Sequence, residues 1–341
     1  MKQLNNWILV CLSGLLSCTA GDVLDDPSGQ EEEQVTLRVE TPVVGSPAET
    51  RAGTENLPAG ATLRVVAYQR KVDALGSPVN ITTTAPTAEA TYVVGADGTL
   101  TACTVDGNGK STGTTATPFN VYKGTYDFYA VSPARPLVKN GSNTYEVLNV
   151  QRGEDVMTST QQGVAITRAN ATVSLATFAR KCAKVIVKVV PKEITGTDQK
   201  IVVTKLKATS VTLKNISAQS ATLPVGSSGV IAPTAATTAT FSNFVAVPAA
   251  SDPKNLQLTQ ATNLLLPRSS ALLEVTATIE YQESGLAATT KTLQNTQNTI
   301  AFEAGKSYEI TLTVDNNASQ MGITVAAGTT EDTDDSMGDK K

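Results

Sequence analysis

Apolar and polar residues alternate with a period of two along run after run of this 341-residue chain, and no other feature constrains its fold as tightly. In SYEITLTVD, Tyr308, Ile310, Leu312 and Val314 share one face, with Glu309, Thr311 and Thr313 on the other. LEVTATIEY sets Leu273, Val275, Ala277, Ile279 and Tyr281 against Glu274, Thr276, Thr278 and Glu280, and AKVIVKVV puts Val185, Val187 and Val189 on one side. Turn-forming stretches separate such runs: LPAG at 57–60, GADG at 95–98, KNGSN at 139–143, PVGSSG at 224–229 and EAGK at 303–306. No long helical period competes with them. Short half-buried strands with frequent turns predict an all-β chain of antiparallel sandwiches. Its length suits two domains, with a boundary near residue 180: NATVSLATF closes the first, the polar, basic ARKCAK follows, and the strand from Ala183 opens the second.

The chemistry available to such a chain is narrow. It contains no histidine, which removes the commonest general base and metal ligand and every Ser-His or Cys-His nucleophile pair. An enzyme is therefore not expected, and no cofactor or metal is predicted. Net charge is −4 without a Lys/Arg stripe, which argues against nucleic acid as a partner. DGNGKST at 106–112 contains Gly-Lys-Ser, but Thr104 stands where a phosphate-binding loop needs its leading glycine and no helix pattern follows, so a flexible hairpin loop is expected. Lys110 spoils the same stretch as a calcium loop. Cys103 and Cys182 lie far apart in sequence and read as two small buried side chains rather than a disulfide.

The N-terminus carries the most specific motif. Lys2 precedes the apolar stretch Trp7 to Ser17, too short for a bilayer span and of signal-peptide length. It ends in Leu15-Leu16-Ser17-Cys18, which resembles a bacterial lipobox. That resemblance implies removal of residues 1–17, acylation at Cys18 and tethering to the membrane through lipid rather than a spanning helix. The acidic, aperiodic TAGDVLDDPSGQEEEQ then reads as a solvated tether.

Four stretches in order behind this motif, LPAGATLRVVAY (57–68), YKGTYDFYAVSPA (122–134), FARKCAKVIVKV (178–189) and FEAGKSYEITLTVD (302–315), resemble the fimbrillin superfamily of type V pili. The resemblance implies two tandem transthyretin-like Greek-key β-sandwiches, at 52–180 and 181–330 here, exported as an outer-membrane lipoprotein. It also implies an arginine-specific protease that cuts between the first and second strands, removing the lipidated segment. The vacated groove is then filled by the C-terminal strand of another subunit. Mapped onto this chain, the cut falls between Arg51 and Ala52 in AETRAGT, and 18–51 is the tether and propeptide.

The residues themselves are compatible with that scheme. EQVTLRVE alternates Val35, Leu37 and Val39 against Thr36, Arg38 and Glu40, a strand able to occupy a sheet edge, and its loss would expose a template for another strand. QMGITVAAG places Met321, Ile323, Val325 and Ala327 on one face as the candidate donor, and 331–341 form an acidic tail. The expected function is thus a pilus subunit serving adhesion, in extracellular fimbriae after release, whose partners are further subunits, the protease, the outer membrane and a host or bacterial surface receptor. The alternatives are an anchor or tip adhesin that keeps its lipid, or a surface lipoprotein that binds glycans.

Overall fold

The structure is a computed structural model that describes residues 34–44, 55–70, 88–115, 119–140, 144–192, 203–227, 229–246, 259–315 and 317–330. These residues belong to one compact unit that begins at Gln34. Strands account for all of its regular structure among the described residues. In chain order the first half holds β1 (Gln34–Thr36), β2 (Arg38–Val39), β3 (Val43–Val44), β4 (Glu55–Asn56), β5 (Thr62–Gln69), β6 (Ala88–Val94), β7 (Leu100–Ala102), β8 (Asn120–Tyr122), β9 (Gly124–Ser132), β10 (Leu137–Lys139), β11 (Tyr145–Gln151), β12 (Met157–Ile166), β13 (Thr172–Val173) and β14 (Ala179–Arg180). The second half holds β15 (Ala183–Pro191), β16 (Val203–Lys214), β17 (Ser220–Pro224), β18 (Thr238–Phe241), β19 (Val245–Ala246), β20 (Thr259–Leu265), β21 (Arg268–Glu283), β22 (Thr289–Phe302), β23 (Lys306–Val314) and β24 (Met321–Thr330).

The strands predicted from alternation form where the pattern places them. In β15, Ala183, Val185, Val187 and Val189 are wholly buried, and the intervening residues are half-exposed. β21 and β23 repeat this arrangement. In the second half, a five-stranded sheet ordered β19-β20-β15-β23-β24 and a four-stranded sheet ordered β18-β16-β21-β22 contribute to one apolar cluster. Val187 and Ile310 supply one side, and Leu213, Val275 and Ile279 supply the other. Pairing is not antiparallel throughout, because β15 lies parallel to β23 and β2 lies parallel to β13.

The first half is organised around a six-stranded sheet ordered β14-β12-β9-β5-β6-β7. Alternation fails along β5, TLRVVAYQ, because both faces of this sheet are covered. Leu63, Val65 and Ala67 enter one cluster, whereas Val66 and Tyr68 enter another beneath a small sheet ordered β10-β11-β17. The sequence boundary near residue 180 is therefore crossed, since β17 follows that boundary and yet pairs with β11, which precedes it.

Two local expectations change. ARKCAK reads as a polar connection, yet Lys181 is only 2% exposed, beside Cys182, which is buried as expected. The Lys181 ammonium donates to the Ser227 carbonyl, and the Cys182 thiol, pushed up to about 12 by burial, donates to the Glu154 carbonyl at 3.2 Å. Cys103 and Cys182 are both buried free thiols. The 106–112 loop is a hairpin but a pinned one. The Asp106 carboxylate accepts from the amides of Asn108 and Lys110, and Thr62 donates to the Gly109 carbonyl. Gly109 has φ +80°, and a Cβ there would lie 2.8 Å from the Ala134 nitrogen, so glycine is required by both conformation and space.

Burial lowers the Lys181 ammonium from 10.5 to about 8. Between those values the unfolded chain binds more protons than the folded one, so stability is expected to rise with pH across pH 8 to 10.5. The rise should be on the order of 2–3 kcal/mol. Urea denaturation at pH 7.5 and pH 10 measures it, and Lys181→Met should flatten this part of the pH profile.

Candidate functional site

The segment 34–44 is the only place among the described strands where one short run of chain serves three otherwise unpartnered strands, β8, β13 and β4. It starts antiparallel to β8, with Gln34, Val35 and Thr36 opposite Tyr122, Val121 and Asn120. The Leu37 amide then donates to the Phe119 carbonyl at 2.8 Å. At Arg38 the backbone turns its bonding to the other side: the Arg38 amide donates to Ala171 at 2.9 Å and the Glu40 amide to Val173 at 3.0 Å, as β2 runs parallel to β13. Further on, Val43 accepts from the Phe178 amide at 2.8 Å, and β3 pairs antiparallel with β4.

Neither β8 nor β13 pairs with any other strand among those described. The segment is therefore a bar lying in a slot, bonded first to one wall and then to the other. Each part of the run has a single strand neighbour, β8 for β1 and β13 for β2, on opposite sides of the segment.

Side chains follow the alternation. Val35 and Leu37 are each 5% exposed and enter the cluster containing Phe119, Val121, Phe128 and Phe178, while Val39 is half-buried against it. Phe119 and Phe128 meet edge to face with centroids 6.4 Å apart. The outward residues are tied to the rim: Thr36 donates to Asn120 Oδ1 at 2.8 Å, Ser174 donates to the Glu40 carboxylate, and Thr41 donates to the Gly98 carbonyl. Emptying the slot would strip partners from both walls and uncover the floor that Val35 and Leu37 now fill.

The second candidate element, β24, lies in the other half. It runs antiparallel to β23 as the end strand of the five-stranded sheet, with Met321 opposite Val314, Ile323 opposite Leu312 and Val325 opposite Ile310. Met321 is buried, Ile323 and Val325 are half-buried against the core, and Gly322, Thr324 and Ala326 face solvent. Ala327 falls within the strand at the register shift between the Ser307–Thr329 and Glu309–Ala326 pairs. Met321, Ile323 and Val325 of the donor face read from sequence thus face the core from a strand held by its own sheet.

Cys18, Arg51 and Ala52 lie outside the described residues. Arg51 and Ala52 belong to the connection 45–54, which joins the paired strands β3 and β4. Sequence reasoning identified the segment in the slot but not its walls: NVY and TV are too short to show a period, and only the position of NATVSLATF as a closing strand hinted at one of them. Among the described residues no group of acidic or sulfur side chains is arranged to hold a metal ion.

No curated protein matches this chain. In fold it is similar to a putative cell adhesion protein from Bacteroides fragilis, with a TM-score of 0.52 at 19% identity, covering 88% of this chain and all of the other. A fimbrial protein from Bacteroides vulgatus is similar with a TM-score of 0.50 at 14% identity, covering 86% of this chain and 99% of the other. At these identities the likeness speaks for the fold alone. The sequence model of the family described as fimbrillin-like matches residues 50–331, from just before the proposed cut to the end of β24. A match over most of the length, on a sheet architecture of this kind, shows that the chain belongs to the fimbrillin-like family.

Proposed function

We propose that this protein is a structural pilus subunit, made as an outer-membrane lipoprotein and polymerised by strand exchange into fimbriae that serve cell adhesion. Residues 1–17 direct export, Cys18 carries the lipid, and an arginine-specific protease cuts between Arg51 and Ala52. The released piece takes β1, β2 and β3 out of the slot, and β24 of another subunit enters in their place. Sandwiches at 52–180 and 181–330, each transthyretin-like with Greek-key connections, present the slot in the first and the donor in the second. The filament then binds a receptor on another cell surface.

One observation carries this reading: the segment 34–44 has two walls that no other described strand pairs with, so its removal leaves a site that only another strand can satisfy. Met321, Ile323 and Val325 repeat the two-residue spacing of Val35, Leu37 and Val39. Refilling restores backbone hydrogen bonds worth about 1 kcal/mol each and burial worth about 1.5–3 kcal/mol for each large side chain. Donor and slot lie on different elements of one chain, so the contact is head-to-tail and propagates as an open filament.

Arg51→Ala tests the processing step. Full-length chain, lipidated at Cys18 and absent from sheared filaments, is expected at the membrane. Filaments with normal subunit mass from this variant would rule out Arg51 as the processing site.

A further inference from the structure

We infer that the two halves are locked into one cooperative body by a joint at residues 146–153 and 217–227, so that neither half opens without the other. The six-stranded sheet has the slot on one face and the small β10-β11-β17 sheet on the other. The third strand of that small sheet is supplied by the second half. β17 pairs antiparallel with β11, setting Pro224 opposite Glu146, Leu223 opposite Val147, Ala221 opposite Val150 and Ser220 opposite Gln151.

The apolar cluster beneath it is shared. Val66, Val131 and Val147 come from the first half and Leu223, Val225 and Leu266 from the second, and all are 5% exposed or less. Without the second half, Val66 and Val131 would lose part of their cover, and a sheet with both faces apolar does not persist with one of them opened to water.

Arg152 fastens the joint. Its backbone amide donates to Gln219 at 2.9 Å, and its guanidinium donates to the carbonyls of Thr238 at 2.7 Å and Ser217 at 2.9 Å. Beside it the Gly153 amide donates to Leu264 at 2.8 Å, Gly226 donates to Thr158 Oγ1 at 3.4 Å and the Val225 amide donates to Tyr145 at 2.8 Å. These bonds link β11 and its turn to the strand ends at 217–219, 238 and 264, three separate parts of the second half.

Native-state hydrogen exchange on the full uncleaved chain tests the coupling. In one cooperative body, the slowest amides of β5 and β9 share a single limiting protection with those of β21. Ile279→Val, a conservative change in the second half's core, is then expected to speed both sets by the same factor, about fivefold. Arg152→Ala is expected to speed the β5, β9 and β21 amides alike by about tenfold, because two carbonyls lose their donor. Acceleration confined to β21 in Ile279→Val overturns the single body, and unchanged protection in Arg152→Ala overturns the assignment of the fastener.

Discussion

Leu37→Asp is expected to destabilise the uncleaved chain by on the order of 4 kcal/mol, the largest effect of any single change in the slot segment. Leu37 is 5% exposed, shares a cluster with Phe119 and Phe128, and sits where its own amide is bonded to Phe119. A carboxylate there loses the Leu contacts and has no water to solvate it. Neighbouring Thr36 faces outward. Thr36→Asp is therefore expected to cost only about 1 kcal/mol, the worth of its hydrogen bond to Asn120. Urea midpoints of the two variants measure the difference. Equal midpoints would mean that the segment is not packed in the slot.

Ile323→Asp is expected to reduce high-mass polymer by at least about a hundredfold while leaving a folded, cleaved subunit. In its own sheet Ile323 is half-buried opposite Leu312, where the loss is about 1–2 kcal/mol. If β24 takes the place of β1 and β2, as proposed, the same position would replace a side chain of the Phe119 and Phe128 cluster, where a charge is far less tolerable. Thr324 lies on the solvent face of β24, and Thr324→Asp should polymerise normally. Polymer yield by size exclusion, beside circular dichroism of the monomer, separates failed assembly from failed folding. Normal polymer from Ile323→Asp would remove β24 as the donor.

Much of the fold is legible in the sequence where one face of a strand is buried and the other is wet. β15, β21 and β23 satisfy that condition and lie where their alternation places them. The rule loses force where both faces are covered, as along TLRVVAYQ, because the apolar run no longer distinguishes the two sides. It loses force again where a strand is two or three residues long, as at β8 and β13, so the walls of the slot are invisible in sequence although their occupant is not. Pairing partners are the third gap. Nothing in SATLP marks residues 220–224 as the partner of β11, because that union depends on contacts far apart in the chain. The same is true of Lys181, whose charge suggests solvent and whose surroundings bury it.

Under the proposed function, residues 34–44 occupy a slot in the precursor and a strand from another subunit replaces them in the filament. N-terminal sequencing and intact mass of subunits from sheared filaments distinguish the two states. A start at Ala52 is expected, with residues 18–51 missing from every polymerised chain. Polymers whose subunits all retain acylated Cys18 and the 34–44 segment would contradict it.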